Sequence, residues 1–291
     1  MMTIAEITWT VDPAIFSIGS REIRWYALAF IVGFSVGYKN VERMWKRESI
    51  PPGWLDPLLY YTALGTIVGA RLGHCLFYDP GYYLAHPIEI LKVWEGGLAS
   101  HGGVLGIIVA IYFYSRNVSH QSMLWTFDKL VTPTGLVAAL IRLGNLMNHE
   151  IFGHPTDLPW GFRFVDFSKI SLHAWRQGAE PVFTAPSHPT QIYEAVCYLL
   201  TFALCMWLYF RKDAWKREGF IFGIFMICLF TARFLIEFLK EVQEDFEVGM
   251  VLNMGQWLSI PFVLAGLYFV LRAVKRKPVA YSYRNANKNR K

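Results

Sequence analysis

The stretch Leu130–His149, which reads LVTPTGLVAALIRLGNLMNH, carries a single charge at neutral pH, on the guanidinium of Arg142. About 20 mainly apolar residues are enough to span a bilayer as a helix, and an arginine near the centre of such a helix costs roughly 2.5–3.5 kcal/mol. Because a guanidinium binds phosphate or carboxylate through a planar fork of donors, the pattern predicts an anion-binding role. Two further apolar stretches also contain an arginine: Arg71 lies within Pro57–Tyr78 and Arg233 within Gly219–Leu239.

The composition indicates an integral membrane protein. Of the 291 residues 54% are hydrophobic, and the mean hydropathy of +0.30 is too high for an ordinary soluble domain. We therefore predict an all-α integral membrane protein with seven transmembrane helices, forming a single membrane-embedded catalytic domain over residues 1–291. The expected spans are, approximately, residues 18–38, 57–78, 96–115, 130–149, 193–210, 219–239 and 250–271.

Lys and Arg are distributed unevenly between the two sets of helix ends. They concentrate after the first, third, fifth and seventh expected spans, whereas the opposite connections are longer and carry fewer of them. The positive-inside rule then puts the N-terminus outside and the C-terminus in the cytoplasm. Residues 150–187 become a small extracytoplasmic cap and residues 272–291 a basic cytoplasmic tail. We interpret this tail as a topology anchor attracted to anionic lipids, with no nucleic-acid partner; a nucleic-acid-binding arm is the alternative.

The predicted orientation brings nearly every polar residue of the spans into the outer half of the membrane. Arg142, Asn145 and His149 are three and four residues apart, so they share one helix face. Arg233 and Glu237 are four residues apart, and we expect them to pair along their helix. The other polar residues expected there are Tyr26, Arg71, His101, Asn148 and Glu150, together with Gln191 and Glu194 at the start of the fifth span.

Each of these residues also has a purely structural interpretation. Arg71 lies near a helix end, from which its side chain can extend to the headgroups. The Arg233–Glu237 pair can serve packing alone, and His101 can be a hydrogen-bonded core histidine. The segment Arg142–Glu150 is harder to explain in this way, because an arginine, two asparagines and a glutamate within nine residues exceed what packing needs.

Such a site suits an anionic phospholipid headgroup, because arginine can hold a phosphate bidentately and a neutral histidine can accept a proton from a nucleophile. The sequence lacks H-E-x-x-H, G-x-S-x-G and any cluster of acidic metal ligands, so no metal site is predicted. Two alternatives are an anion permease, which needs polar residues along the whole depth of a pore, and a metal-dependent headgroup transferase, which needs paired aspartates within a span. The sequence provides neither feature.

The segment Arg142-Leu143-Gly144-Asn145-x-x-Asn148-x-Glu150-x-x-Gly153 resembles the signature of the prolipoprotein diacylglyceryl transferase family. Any one matching block is weak, but seven further blocks follow the family order across about residues 25–260. They are Trp25-Tyr26, GARLG at Gly69–Gly73, WEGGL at Trp94–Leu98, HGG at His101–Gly103, HPTQIYE at His188–Glu194, Arg233-x-x-x-Glu237-Phe238 and Met254–Gln256.

The resemblance implies a seven-helix membrane body with periplasmic caps in the bacterial inner membrane, with its active site toward the outer leaflet. It also implies transfer of the diacylglyceryl group of phosphatidylglycerol to the lipobox cysteine thiol in a prolipoprotein signal peptide. A thioether would form and glycerol phosphate would leave. The expected partners are these two substrates and the membrane lipids, and no metal or organic cofactor is expected.

By the same resemblance, His101 is the expected base for the thiol, and Arg142 and Arg233 are expected to stabilise the charge that grows on the departing phosphate. Two departures from the family pattern are relevant. Lys240 occupies a position where many relatives have Arg, and His149 occupies one where relatives often have Gly, which makes it a second candidate base. The expected substrate-binding residues are Arg142, Tyr26, Asn145, Asn148, Glu150, Gly153, Glu237 and Arg71.

Overall fold

The computed structural model describes residues 7–18, 21–93, 96–240, 249–281 and 283. The chain is mostly helical, at 68%, as predicted. The prediction of an all-α protein was incomplete, because four short strands lie among the described residues. They are β1 (Ile7–Trp9), β2 (Ala14–Ile18), β3 (Arg21–Arg24) and β4 (Phe162–Phe164).

The α-helices of the described residues follow one another through short connections, several of which contain a single helical turn. The α-helices are α1 (Trp25–Glu48), α2 (Leu55–Phe77), α3 (Pro80–Ala85), α4 (Ser100–Tyr114), α5 (Met123–Met147), α6 (Leu172–Arg176), α7 (Thr190–Arg211), α8 (Phe220–Ile236) and α9 (Met254–Lys275). The 3-10 turns are Pro52–Trp54, Pro87–Leu91, Ala214–Lys216 and Glu237–Leu239, and a π-helical turn covers Ser115–Ser119.

Four helical segments of the described chain are long and apolar enough to cross a membrane, and they coincide with the fourth to seventh predicted spans. The first three predicted spans are not confirmed by length and composition. Helix α1 carries several charges in its C-terminal half, and α4 has only 15 residues. The four segments are Met123–Met147, Thr190–Arg211, Phe220–Leu239 and Met254–Lys275.

The chain divides into two compact units. Unit 1 comprises Met1–Gly37 and Val131–Val279, and unit 2 comprises Tyr38–Leu130 and Ala280–Lys291. Both are discontinuous in sequence, because α1 and α5 each contribute to both units. The single catalytic domain predicted over residues 1–291 stays a prediction.

Unit 1 contains the predicted cap, which is a folded segment built on the C-terminal end of α5. Strand β4 of the cap pairs in parallel with β1 from the N-terminal segment. Phe162 and Phe164 pack with Leu146 of α5 in one buried cluster, and the indole Nε1 of Trp9 donates to the Leu146 carbonyl at 3.1 Å. The N-terminal segment is therefore part of the cap, which the sequence did not predict.

Unit 2 contains a close contact between α2 and α4 and a buried ion pair between α1 and α5. Lys129 Nζ lies 3.2 Å from Glu48 Oε1, and neither side chain is more than 1% exposed. Tyr283 donates to Glu48 Oε2 at 3.1 Å and accepts from the indole of Trp125 at 3.0 Å. Tyr283 of the predicted tail thus packs against protein, and the basic end of the tail, Arg284–Lys291, lies outside the described residues.

Candidate active site

Arg142 is paired with a carboxylate that was not predicted as a site residue. Its Nε lies 2.9 Å from Glu194 Oε2, and its Nη1 donates to Asn145 Oδ1 at 3.4 Å. Glu194, in the second turn of α7, has no exposed side-chain surface, whereas 17% of the Arg142 side chain is exposed. The guanidinium is therefore fixed from the buried side and stays partly accessible.

Glu194 is shared between two cations. Its Oε1 lies 3.0 Å from Lys240 Nζ and accepts from the Tyr198 hydroxyl at 3.3 Å. Lys240 also lies 3.6 Å from Glu237 Oε2. All of these side chains except that of Arg142 are buried. Removing Glu194 would leave the buried Lys240 with only the longer contact to Glu237, and breaking a buried ion pair in this way is destabilising.

The predicted pairing of Arg233 with Glu237 was wrong. Glu237 keeps helical backbone angles, and its N–H donates to the Arg233 carbonyl at the end of α8, but no ion pair joins the two side chains in the described part of the chain. The turn instead brings Lys240 beside Glu237. Gly255 of α9 provides the space, because a Cβ at that position would lie 2.6 Å from the Glu237 carboxyl carbon.

Arg233 lies half-buried on α8. Within the part of the chain that the structure describes, its side chain makes no ion pair or hydrogen bond. The Tyr198 hydroxyl lies within electrostatic reach of both Arg233 and Arg142. The fold therefore brings these two predicted catalytic arginines close to one tyrosine.

Asn145, Asn148 and Glu150 form a second polar group directly after Arg142. The amide Nδ2 atoms of both asparagines donate to Glu150 Oε1, at 2.8 and 3.1 Å, and Gln191 Nε2 donates to the Glu150 carbonyl at 2.6 Å. The Oδ1 of Asn148 and the Oε1 of Gln191 are buried and have no hydrogen-bond partner within the described part of the chain. Each of these oxygens can accept a hydrogen bond from a donor group of a bound molecule.

Two glycines of the signature allow close approaches between segments. A Cβ on Gly144 would lie 2.7 Å from Cδ2 of Tyr26, so this glycine allows Tyr26 to pack directly on α5. A Cβ on Gly153 would overlap the Leu239 carbonyl oxygen, and Gly153 pairs with Lys240 as in an antiparallel sheet. Gly153 thus fixes the backbone that carries Lys240.

Both ring nitrogens of His149 are bound to backbone groups. Nδ1 accepts from the Val165 N–H at 3.1 Å, so the proton lies on Nε2, which donates to the Val11 carbonyl at 2.8 Å. Burial lowers the pKa of His149, although the Val11 carbonyl and the Asp12 charge oppose the shift. Neither nitrogen is available to take a proton from a thiol, so the geometry favours a structural role over that of a second base.

His101 and Arg71 belong to unit 2. His101 is exposed in the first turn of α4, where its ring lies 5.8 Å from that of Phe77 and 6.0 Å from that of Tyr78. Arg71 is 4% exposed, and its three guanidinium nitrogens donate to carbonyls of the α2–α4 connection, at 2.9 Å to Ile90, 2.6 Å to Gly96 and 2.5 Å to Glu89.

Arg71 therefore orders this connection, and its side chain does not extend to the headgroups as the structural alternative expected. A role for Arg71 in substrate binding stays a prediction. The same connection contains the WEGGL block, of which Trp94 and Glu95 lie outside the described residues.

The sequence interpretation did not select Glu194, Tyr198 or Lys240 as site residues. A signal was present for Glu194, since a carboxylate within an expected span needs a cation to be tolerated there. The sequence could not identify that cation, because Arg142 and Lys240 lie on other segments of the chain.

The model of the prolipoprotein diacylglyceryl transferase family matches residues 13–272. The chain belongs to this family. Similar members include the phosphatidylglycerol–prolipoprotein diacylglyceryl transferase of Porphyromonas gingivalis, 52% identical over 277 residues that cover 93% of this chain and 96% of the relative. Those of Chloroherpeton thalassium and Bacteroides fragilis are 45% identical over 276 residues (95% and 97%) and 41% identical over 288 residues (95% and 98%). The family that the sequence motifs indicated is confirmed.

Proposed function

We propose that this chain is a phosphatidylglycerol–prolipoprotein diacylglyceryl transferase that acts in bacterial lipoprotein maturation. The observation that carries the proposal is the family match over residues 13–272, strengthened by relatives of that name that align along nearly their whole length. The substrates are phosphatidylglycerol and the lipobox cysteine in the signal peptide of a prolipoprotein.

The reaction replaces a carbon–oxygen bond with a carbon–sulfur bond. The thiol first loses its proton, for which His101 is the base we propose, because the thiolate is the nucleophile. The sulfur attacks the glycerol carbon of the diacylglyceryl group that bears the phosphate ester. The bonding electrons pass to the phosphate oxygen, and glycerol phosphate leaves. Arg142 and Arg233 stabilise the charge on this leaving group in surroundings where little water competes.

The polar group at the end of α5 suits the rest of the headgroup. Buried acceptors without a donor are costly, and Asn148 Oδ1 and Gln191 Oε1 are two such atoms in the described part of the chain. The hydroxyl groups of a glycerol headgroup are donors of the right kind. Together with Glu150, these acceptors would hold the headgroup glycerol while the arginines hold its phosphate.

We propose that seven helices cross the inner membrane and that the site faces the outer leaflet. The distribution of Lys and Arg supports this orientation. Helix α2 is less apolar than the fourth to seventh spans, and α4 is shorter than they are. Both helices expose an apolar surface suited to lipid. Its exposed side chains include Leu64, Ile67, Val68, Leu105, Ile108 and Val109.

Incubation of the purified protein with phosphatidylglycerol and a lipobox peptide tests the proposal directly. Mass spectrometry should show the peptide gain a diacylglyceryl group, and EDTA should leave the rate unchanged. A peptide with serine in place of the lipobox cysteine should stay unmodified, because the serine alkoxide is far harder to form. Absence of any mass gain with the cysteine peptide would refute the function, and strict dependence on a metal would refute the mechanism.

A further inference from the structure

We infer that Glu194 is a positioning residue that sets the direction of the Arg142 guanidinium, and that Lys240 holds Glu194 in place for this task. The inference rests on the proposed function, in which Arg142 binds the phosphate. Glu194 itself acts through Arg142.

The contacts of Glu194 fix it firmly. Its side chain is fully buried, one oxygen faces Arg142 Nε at 2.9 Å, and the other faces Lys240 Nζ at 3.0 Å and the Tyr198 hydroxyl at 3.3 Å. A carboxylate held on both oxygens has little freedom to rotate. Because the guanidinium is planar and rigid, the ion pair at Nε and the hydrogen bond from Nη1 to Asn145 Oδ1 together restrict the plane of the group and the direction of Nη2.

The second cation explains how Arg142 keeps its attraction for a phosphate. A carboxylate paired with Arg142 alone would largely neutralise it. Lys240 lies at nearly the same distance from Glu194 as Arg142 does, so the negative charge is divided between the two cations. Glu194 can therefore orient Arg142 without fully neutralising its positive charge.

Residues 150–153, which follow Arg142 in the chain, contact the segments that carry Glu194 and Lys240. The Thr190 hydroxyl at the start of α7 donates to the Ile151 carbonyl at 2.9 Å, and Gly153 pairs with Lys240. Residues 150–153 thus contact the start of the helix that carries Glu194 and the backbone that carries Lys240. This short segment links the signature motif to the two residues that orient its arginine.

The first test is a double-mutant comparison of turnover. Glu194→Gln keeps the size of the side chain and removes its charge, and we expect it to lower turnover by about 10- to 100-fold, as misplacement of a binding group by about 1 Å does. Lysine has no Nε–H and no planar guanidinium for Glu194 to orient. In an Arg142→Lys background the same change should therefore lower turnover by no more than about twofold. Equal losses in both backgrounds would show that Glu194 acts independently of Arg142.

A control variant and the activity of the wild-type protein separate this inference from the proposed function. Glu180→Gln, the same change at an exposed position of the cap, should leave turnover unchanged. If the wild-type protein transfers diacylglycerol and Glu194→Gln is as fast, only the inference fails. If the wild-type protein transfers nothing, the proposed function fails, and the second test still decides the inference.

The second test observes the guanidinium itself. In protein labelled with 15N-arginine, the Nε–H resonance that disappears in Arg142→Lys is assigned to Arg142. It should be protected from exchange in the wild-type protein and should lose its protection in Glu194→Gln. Glu194→Asp, which keeps the charge, serves if the glutamine variant does not fold, and its shorter side chain should give partial protection. Full protection in whichever variant folds would overturn the inference.

Discussion

Arg71, Arg142 and Arg233 are three arginines in apolar helices with different surroundings. Arg71 is surrounded by backbone carbonyls, which satisfy donors on all three of its nitrogens. Arg142 is held by one carboxylate and is partly exposed, and Arg233 has no partner in the part of the chain that the structure describes. Only a guanidinium with remaining donors can bind a phosphate, so the contacts favour Arg142 and Arg233 for catalysis and Arg71 for ordering its loop.

Replacement of Arg142 by alanine should lower turnover by about 10²–10³-fold, the loss seen when one preorganised donor is removed from an enzyme site. The protein should still fold and insert, because a guanidinium is costly in apolar surroundings and Lys240 remains to neutralise Glu194. Arg142→Lys should also be slow, since an ammonium keeps the charge and loses the planar fork. Peptide mass spectrometry after reconstitution with phosphatidylglycerol measures both rates.

Arg116→Ala is the control for these variants. Arg116 lies 5.5 Å from the ring of Tyr112, a contact of modest energy, so its loss should leave turnover at the wild-type level. Near-normal turnover of Arg142→Ala would instead show that Arg142 is structural.

His149 should make the stability of the cap depend on pH. Its pKa is lowered in the folded protein, so the neutral form is favoured there and the unfolded chain binds a proton more readily. Stability from His149 is therefore present above about pH 6.5, the ordinary histidine value, and is lost as pH falls through the folded pKa. In His149→Asn, the fall in unfolding temperature over this range should be smaller. Asparagine tolerates the positive φ of 57° at this position.

His173→Asn is the matched control, because His173 is an exposed histidine of the same cap. Its replacement should leave the pH dependence unchanged. An unchanged dependence in His149→Asn would mean that His149 titrates normally in the folded protein.

At the scale of elements, glycines determine how α2 and α4 pack. Gly65, Gly69 and Gly73 recur every fourth residue on α2, opposite Gly102 and Gly106 of α4. A Cβ on Gly69 would overlap the Gly102 carbonyl oxygen and lie 2.7 Å from the Gly106 Cα. Small residues at this spacing allow helices to approach closely in a membrane, where packing replaces the hydrophobic effect between helices.

Gly69→Ala should therefore destabilise unit 2, by about 1–3 kcal/mol if the helices separate slightly to admit the methyl group. Thermal unfolding in detergent, followed by circular dichroism, measures the change. Gly81→Ala in α3 is the control, because no atom lies within 4 Å of its added Cβ and alanine favours a helix. Equal unfolding temperatures for the two variants would show that the α2–α4 contact yields without cost.

At the scale of the whole molecule, the orientation in the membrane can be tested by labelling. A cysteine at Glu180 in the cap should react with a membrane-impermeant thiol reagent in intact spheroplasts, whereas one at Ala280 should react only after lysis. Both positions are exposed. The unsubstituted protein measures the background from its four native cysteines, of which Cys75 and Cys205 are buried. The opposite labelling pattern would reverse the proposed topology.

The family could be recognised from the sequence motifs alone. The fourth to seventh helices, and the free-energy cost of placing Arg142 in an apolar span, could also be predicted, because hydropathy depends only on neighbouring residues. The sequence could not determine which cation Glu237 meets, because Lys240 lies on the segment after the helix, and the expected Arg233–Glu237 pair was therefore wrong. It also could not identify strands as short as β1 and β4, which have too few residues for a periodic pattern.

Only the tertiary structure decided which charges meet. Glu194 contacts Arg142 and Lys240, and His149 contacts Val11 and Val165, across separations that no local rule covers. In a low-dielectric interior each buried charge or polar group needs a partner, but many arrangements of the same residues would supply one. The packing of α5, α7 and the turn after α8 selects a single arrangement, in which the arginine of the signature is held by a carboxylate on another helix.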